Sequence, residues 1–229
     1  SREPIRLGRG EGAMTEQKEK NAPVEEGSSG VISRRSLLVG LGGTAVLCGL
    51  GAVRYVGSDP LVRPPGGQNE DQLVSACIHC EKCYEVCPRN VIAPAHIENG
   101  ILNMRTPVMT YSQDWCDWCK EENGGDPLCV KVCPTKALEL PQGATAENTL
   151  LGLADLDTDL CLAYRLIGCR FCYDACEYDA IELDENNRPY VIDDKCNGCG
   201  ACESVCVSMQ NGSITAGANR RAIIVEPIQ

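Results

Sequence analysis

The residues best placed to do chemistry in this chain are its cysteines, 17 in 229 residues. Sixteen of them fall into four groups of four. The first group is Cys77-x2-Cys80-x2-Cys83-x3-Cys87 followed by Pro88, and the last is Cys196-x2-Cys199-x2-Cys202-x3-Cys206 followed by Val207. The second is Cys116-x2-Cys119-x9-Cys129-x3-Cys133, and the third is Cys161-x7-Cys169-x2-Cys172-x3-Cys176. In this spacing a tight loop wraps three corners of an iron–sulfur cube. The fourth thiolate, on the helix that follows, reaches the other cluster of a pair. Each group is therefore expected to supply the ligands of one 4Fe-4S cluster, four clusters in all.

Two other uses of cysteine compete with this. A zinc site favours two separated C-x2-C knuckles closing one tetrahedron, and four thiolates within eleven residues crowd a single ion. The second group alone could pass for a zinc ribbon, but it ends in Cys129-Val130-Lys131-Val132-Cys133-Pro134, in the style of Cys83-Tyr84-Glu85-Val86-Cys87-Pro88 in the first. Disulfides suit an exported protein, yet cysteines two residues apart would form strained local bridges. The two histidines add nothing to the ligand set. His79 lies inside a loop that already has four thiolates, and His96 sits in a connecting segment.

The elements that hold these groups repeat. After the fourth cysteine of the first three groups come Arg89-Asn90-Val91-Ile92-Ala93, Thr135-Lys136-Ala137-Leu138-Glu139 and Tyr178-Asp179-Ala180-Ile181-Glu182. A small or β-branched residue and then a branched apolar one recur at the same offsets. In the fourth group the counterpart, Gly212-Ser213-Ile214-Thr215, arrives three residues later. Each repeat reads as cluster loop, short helix, short strand. Between groups three and four, Ala180–Leu183 and Pro189–Ile192 flank Asp184-Glu185-Asn186-Asn187-Arg188, the pattern of a hairpin. The expected fold is α+β, two dicluster ferredoxin-like halves in tandem, over residues 58–150 and 151–229. With one Phe, two Trp and seven Tyr, the clusters themselves must form much of the core.

Because the hairpin between groups three and four is short, those groups are expected to share a half, which leaves groups one and two to share the other. Under crossed ligation one cluster takes Cys77, Cys80, Cys83 and Cys133, and a second takes Cys116, Cys119, Cys129 and Cys87. The third takes Cys161, Cys169, Cys172 and Cys206, and the fourth takes Cys196, Cys199, Cys202 and Cys176. A nested arrangement, first group with fourth and second with third, is also open, since the residues between Cys133 and Cys161 have room for a hairpin.

Ahead of the cysteines the chain changes character. Residues 1–32 are polar, charged and without apolar periodicity, as in a disordered tail, and Met14 offers a natural start inside it. Arg34-Arg35 then precedes the apolar run Leu37 to Val53, the pattern of a twin-arginine export signal over residues 33–57. That route carries folded proteins, as cluster assembly in the cytoplasm requires. The run is short for a ~20-residue membrane span. No A-x-A cleavage site follows it, so a retained N-terminal tether to the membrane stays open. Cys48, the odd cysteine, is expected to behave as an apolar residue. The stretch Gly57 to Gln68 is rich in Pro and Gly and reads as an extended linker.

A formal net charge of −11 argues against nucleic acid as a partner. It suits docking through complementary charge or simply solubility. A catalytic reductase is disfavoured because the chain carries no G-x-G-x-x-G dinucleotide loop or other cofactor motif, so no catalytic residue is expected. A redox sensor would need an effector domain, and the cluster repeats consume nearly everything beyond residue 58.

The chain resembles the NapG/MauM group of ferredoxin-type proteins. The resemblance runs from Ser33 to about Gln210 and rests on the arginine pair, Arg63-Pro64-Pro65-Gly66, the Cys161-x7-Cys169 loop and Cys206-Val207 where Cys-Pro is usual. Order and spacing are closer to the nitrate-reductase type than to the methylamine-utilisation type. The resemblance implies a periplasmic electron carrier, placed there or on the outer face of the cytoplasmic membrane by the twin-arginine machinery. It also implies two partners: a quinol-oxidising iron–sulfur protein of the membrane as donor and a periplasmic reductase as acceptor. Alternatives are a carrier of methylamine utilisation or an iron–sulfur subunit of another exported oxidoreductase. Glu177 after Cys176 and the long N-terminal tail depart from the pattern, and neither touches a ligand.

Overall fold

The computed structural model describes residues 33, 38–47, 49, 60–165, 167–208 and 220–228. The polar tail, the arginine pair, Cys48 and the stretch around Ile214 lie outside the described residues. Residues 38–47 are helical, and Leu38, Val39, Leu41, Val46 and Leu47 are exposed on that helix. No helix among the described residues is long and apolar enough to cross a membrane.

From residue 60 onward the elements are very short, because the cysteine spacing leaves room for little more than one helical turn between loops. The first half runs α1 (Glu70–Ala76), α2 (Lys82–Val86), β1 (Ile92–Pro94), a 3-10 turn at Ile97–Asn99, β2 (Pro107–Met109), α3 (Lys120–Asn123) and α4 (Leu128–Val132). The second half runs β3 (Leu153–Leu156), α5 (Phe171–Asp174), β4 (Ile181–Leu183), β5 (Pro189–Val191), a 3-10 turn at Asp193–Lys195, α6 (Ala201–Ser204) and β6 (Ile223–Glu226). Helices this short are not stable alone, so packing must hold them. α1 has the best local signals: the Asn69 side chain accepts from the Gln72 N–H, Glu70 and Asp71 fill the first turn, and Leu73 is fully buried.

Three antiparallel strand pairs occur among the described residues. Ile92 faces Met109 in β1–β2, Leu153 faces Glu226 in β3–β6, and Ile181 faces Val191 in β4–β5. The β4–β5 hairpin turns on Asp184, whose Oδ1 accepts the N–H groups of Asn186 and Arg188 at 2.8 Å each. Pairing of β3 with β6, the two ends of the second half, is not something the cysteine repeat announces.

The repeat has a conformational basis. Asn90, Lys136 and Asp179 all adopt left-handed backbone, with φ of 52°, 55° and 50°. Each turns the chain so that the next residue, Val91, Ala137 or Ala180, points into the interior at 2–3 % exposure. The strand expected after each loop forms at Ile92 and Ile181 but not at Leu138. There the Glu139 N–H instead donates to the Gly66 carbonyl at 3.0 Å, so the chain ahead of the first group takes the place of a strand partner. The linker expectation for Gly57 to Gln68 is corrected over its described part, residues 60–68. Arg63, Pro64 and Pro65 are buried. The Arg63 guanidinium holds Glu70 at 2.7 Å, Thr106 Oγ1 at 2.8 Å, the Pro107 carbonyl at 2.9 Å and Asn103 Oδ1 at 3.1 Å. This stretch closes the first half.

Cysteine is a large part of the core. In the first half Leu73, Val91, Ile92, Met109, Tyr111 and Leu138 pack with Cys129, and Cys77, Cys83, Cys87, Cys116 and Cys133 lie against them. In the second, Ala154, Ile181 and Ile223 pack with Cys172 and Cys202, with Cys176, Cys196 and Cys206 alongside.

Candidate metal centres

All sixteen described cysteines are free thiols. They ring four separate cavities, four cysteines to each. The first cavity is lined by Cys77, Cys80, Cys83 and Cys133, the second by Cys116, Cys119, Cys129 and Cys87. The third is lined by Cys161, Cys169, Cys172 and Cys206, the fourth by Cys196, Cys199, Cys202 and Cys176. Each cavity therefore takes three cysteines from one group and the last cysteine of the other group in the same half. Cys87 lies in the cavity of Cys116, and the nested alternative, with Cys87 beside Cys196, is not the arrangement of these cavities. His79 lines the first cavity beside its four cysteines; His96 lines none of the four.

The geometry of this exchange differs in one respect from the sequence expectation. The third cysteine of each group, not the fourth, rides on the short helix: Cys83 on α2, Cys129 on α4, Cys172 on α5 and Cys202 on α6. The fourth follows the helix end. Cys87 and Cys133 are C-caps in extended conformation, with ψ near 110°. One turn of helix directs the third thiol into its own loop's cavity, and the extended residue after it swings the fourth across to the neighbour.

Left-handed residues shape the loops. His79 and Glu81 flank Cys80 with φ of 54° and 65°, and Gly198 and Gly200 flank Cys199 with φ of 74° and 86°. Alternation of this kind turns successive N–H groups toward one side and makes a concavity suited to negative charge. In the second and fourth groups a buried side chain helps: Asp117 Oδ1 accepts the Cys119 N–H at 2.9 Å, and Asn197 Oδ1 accepts the Cys199 N–H at 3.1 Å. The bridging cysteines receive donors too, the Leu138 N–H on Cys133 Sγ at 3.5 Å and the Ala180 N–H on Cys176 Sγ at 3.3 Å.

The thiols suit a multi-iron group better than an empty pocket or a single ion. Burial pushes Cys83, Cys116 and Cys172 up to about 12 and Cys199 up to about 11, and the sulfurs of neighbouring cysteines push the same way. Backbone N–H groups of His79, Trp118 and Ala201 oppose this at Cys77, Cys116 and Cys199. Four thiolates facing one cavity thus require positive charge between them, which iron supplies. Among the described residues no three His, Cys, Asp or Glu side chains converge on the point a lone metal ion would occupy. The sulfurs stand back around a space instead.

A further feature fits a sulfur-rich occupant. Trp118 lines the second cavity and is 1 % exposed, yet its Nε1–H has no acceptor among the described residues. A buried donor left unpaired costs about 1–3 kcal/mol. A cluster sulfur is an acceptor that cavity would supply.

Family models described as "4Fe-4S dicluster domain" match residues 76–137 and 154–211, one in each half. The chain is 34 % identical over 184 residues to the ferredoxin-type protein NapG of Escherichia coli (strain K12), covering 75 % of this chain and 77 % of that protein. It is 35 % identical over 196 residues to the methylamine utilization ferredoxin-type protein MauM of Methylorubrum extorquens, covering 76 % and 84 %. The chain belongs to the NapG/MauM family of ferredoxin-type proteins. A third relative, the ferredoxin-type protein NapF of Escherichia coli (strain K12), is 28 % identical over 149 residues. Membership makes this a ferredoxin-type iron–sulfur protein with two dicluster domains.

Within this NapG/MauM chain, sequence reasoning passed over several residues that shape the sites. Asp117 and Asn197 share a signal, an Asx residue directly after the first cysteine of a C-x2-C pair, the local pattern of an Asx turn. Arg63 carried a signal only as part of the family-like Arg-Pro-Pro-Gly run. Trp118 and Tyr111 carried none.

Proposed function

We propose that this chain is an exported electron carrier holding four 4Fe-4S clusters, with no substrate of its own. Its donor is a quinol-oxidising iron–sulfur protein of the membrane and its acceptor a periplasmic reductase of the nitrate-reductase type. The observation that carries the proposal is the set of four cavities, each with four cysteines contributed three and one by the two groups of a half. When bound, each cluster supplies one-electron redox chemistry. The protein's part is to hold the sulfurs, aim backbone N–H groups at them and limit water around them, the levers that set a cluster's potential.

The methylamine branch has a specific observation in its favour, since MauM matches at an identity equal to that of NapG. Reduced, cluster-loaded protein mixed with a purified periplasmic nitrate reductase and nitrate, and oxidised protein mixed with an amine dehydrogenase and its amine, separate the two. The proposal expects reoxidation coupled to nitrate reduction, and reduction of the oxidised protein by quinol-supplied membranes. Reaction with the amine chain alone overturns the nitrate assignment, and reaction with neither overturns the carrier role proposed for both branches. Export is tested by replacing Arg34 and Arg35 with Lys. The exchange is expected to leave loaded protein in the cytoplasm, and undiminished periplasmic delivery contradicts the twin-arginine route.

A further inference from the structure

Among the described residues the two halves meet beside the second and fourth cavities. The Cys116 N–H donates to the Cys199 carbonyl at 2.9 Å, so the first cysteine of group two is backbone-bonded to the second cysteine of group four. Beside this contact lies Tyr111, 3 % exposed, whose hydroxyl donates to the Gly198 carbonyl at 2.8 Å. Its ring lies so close to Gly200 that a Cβ at that position would overlap it. Arg221 ties the same place from the outside, with Nη1 donating to the carbonyls of Tyr111 and Glu203 at 2.7 Å each. Lys120 pairs with Glu177 across the halves at 2.9 Å. Cys116 belongs to the second cavity and Cys199 to the fourth.

Among the described residues no backbone bond of this kind is seen at the other two cavities. The first is walled by residues of its own half, including Leu73, Ile78, Pro107 and Leu138, and Cys80 is exposed at its mouth. The third is walled by Leu156, Leu162, Phe171 and Ile223, with Phe171 53 % exposed. Within each half the two cavities adjoin: each takes its fourth cysteine from the other's group, and Cys172 and Cys202 pack in one core cluster.

We infer that electrons cross between the halves at the Cys116–Cys199 contact, with Tyr111 and Gly200 as the positioning residues that set its width. The inference rests on the four-cluster proposal above. Electron tunnelling falls steeply with distance, so the closest pair of sites carries the current. The order along the molecule is then the Cys77 site, the Cys116 site, the Cys199 site and the Cys161 site. The two outer sites face the partners. In the crossing step one electron leaves the Cys116 site, which is oxidised, and enters the Cys199 site, which is reduced, or the reverse. No bond is made or broken, and no proton need move.

The experiment uses full-length, cluster-loaded protein and two readouts: magnetic interaction between reduced clusters by EPR, and electron equilibration between halves after rapid one-electron reduction. Iron and sulfide are counted in every sample. Cys119→Ser or Cys199→Ser is expected to abolish the magnetic interaction between halves, whereas Cys80→Ser and Cys169→Ser leave it in place. Tyr111→Ala is expected to slow equilibration between halves by an order of magnitude or more, and Tyr111→Phe to leave it near the parent rate. Survival of the interaction in Cys199→Ser, or its loss in Cys80→Ser, overturns the inference even if Tyr111→Ala does not fold. Fewer than four clusters in the parent protein would instead overturn the proposal on which it rests.

Discussion

Replacing Arg63 by Met should loosen the first half selectively. The guanidinium makes a two-point contact with Glu70, both at 2.7 Å, and also serves Thr106 Oγ1, the Pro107 carbonyl and Asn103 Oδ1. Without it, Glu70 recovers water because its side chain is 41 % exposed. Thr106 retains its bond to the Asn103 carbonyl. The Pro107 carbonyl and Asn103 Oδ1 lose the buried donor that serves them. Stranding a buried acceptor costs about 1–3 kcal/mol, so stranding two puts the loss at about 4 kcal/mol, and the solvated Glu70 adds little. At ~4–8 °C per kcal/mol for a unit of about 60–100 residues, the first-half transition should fall by roughly 20 °C. Thermal release of iron to a chelator reads it, with both proteins scanned at one rate because cluster loss is irreversible. Arg63→Lys should recover only part of the loss, since a point charge does not replace the planar fork. A first-half transition for Arg63→Met within ~4–8 °C of the parent, about 1 kcal/mol, refutes the reasoning. So does an equal loss in both halves.

Two further outcomes follow from the sites. Trp118→Phe removes the buried Nε1–H that lines the second cavity. Because hydrogen bonds to sulfur favour the reduced, more negative state, the potential of the Cys87, Cys116, Cys119, Cys129 cluster should fall while the other three stay put. An EPR-monitored redox titration checks this, and an unmoved potential contradicts it. Gly198→Ala would put a methyl group into the Gly152 backbone at a residue with φ of 74°. The second half should then lose the cluster ringed by Cys176, Cys196, Cys199 and Cys202 while both first-half clusters persist; full loading of that variant contradicts the close approach.

What sequence could reveal here depended on whether the cause was local. Cysteine spacing is local, because a loop that grips a cube needs its ligands a few residues apart. The repeat after each group is local too: Asn90, Lys136 and Asp179 each take the left-handed turn that buries the residue after it. The β4–β5 hairpin was legible for the same reason, since Asp184 caps its own turn. Contacts made at long range left no such trace. A Pro- and Gly-rich stretch has the same composition whether it is solvated or buried, so Gly57 to Gln68 read as a linker although Arg63, Pro64 and Pro65 pack inside the first half. β6 is a short apolar run whose meaning comes from pairing with β3 at the other end of the half. Tyr111 was one aromatic among few, and its place beside the Cys116–Cys199 contact depends on the docking of two halves.

The most direct test of the central claim is a count of iron and acid-labile sulfide in protein prepared without oxygen. Four clusters of four predict about sixteen iron and about sixteen sulfide per chain. Stoichiometric zinc without sulfide, or about eight of each from two clusters, would contradict it.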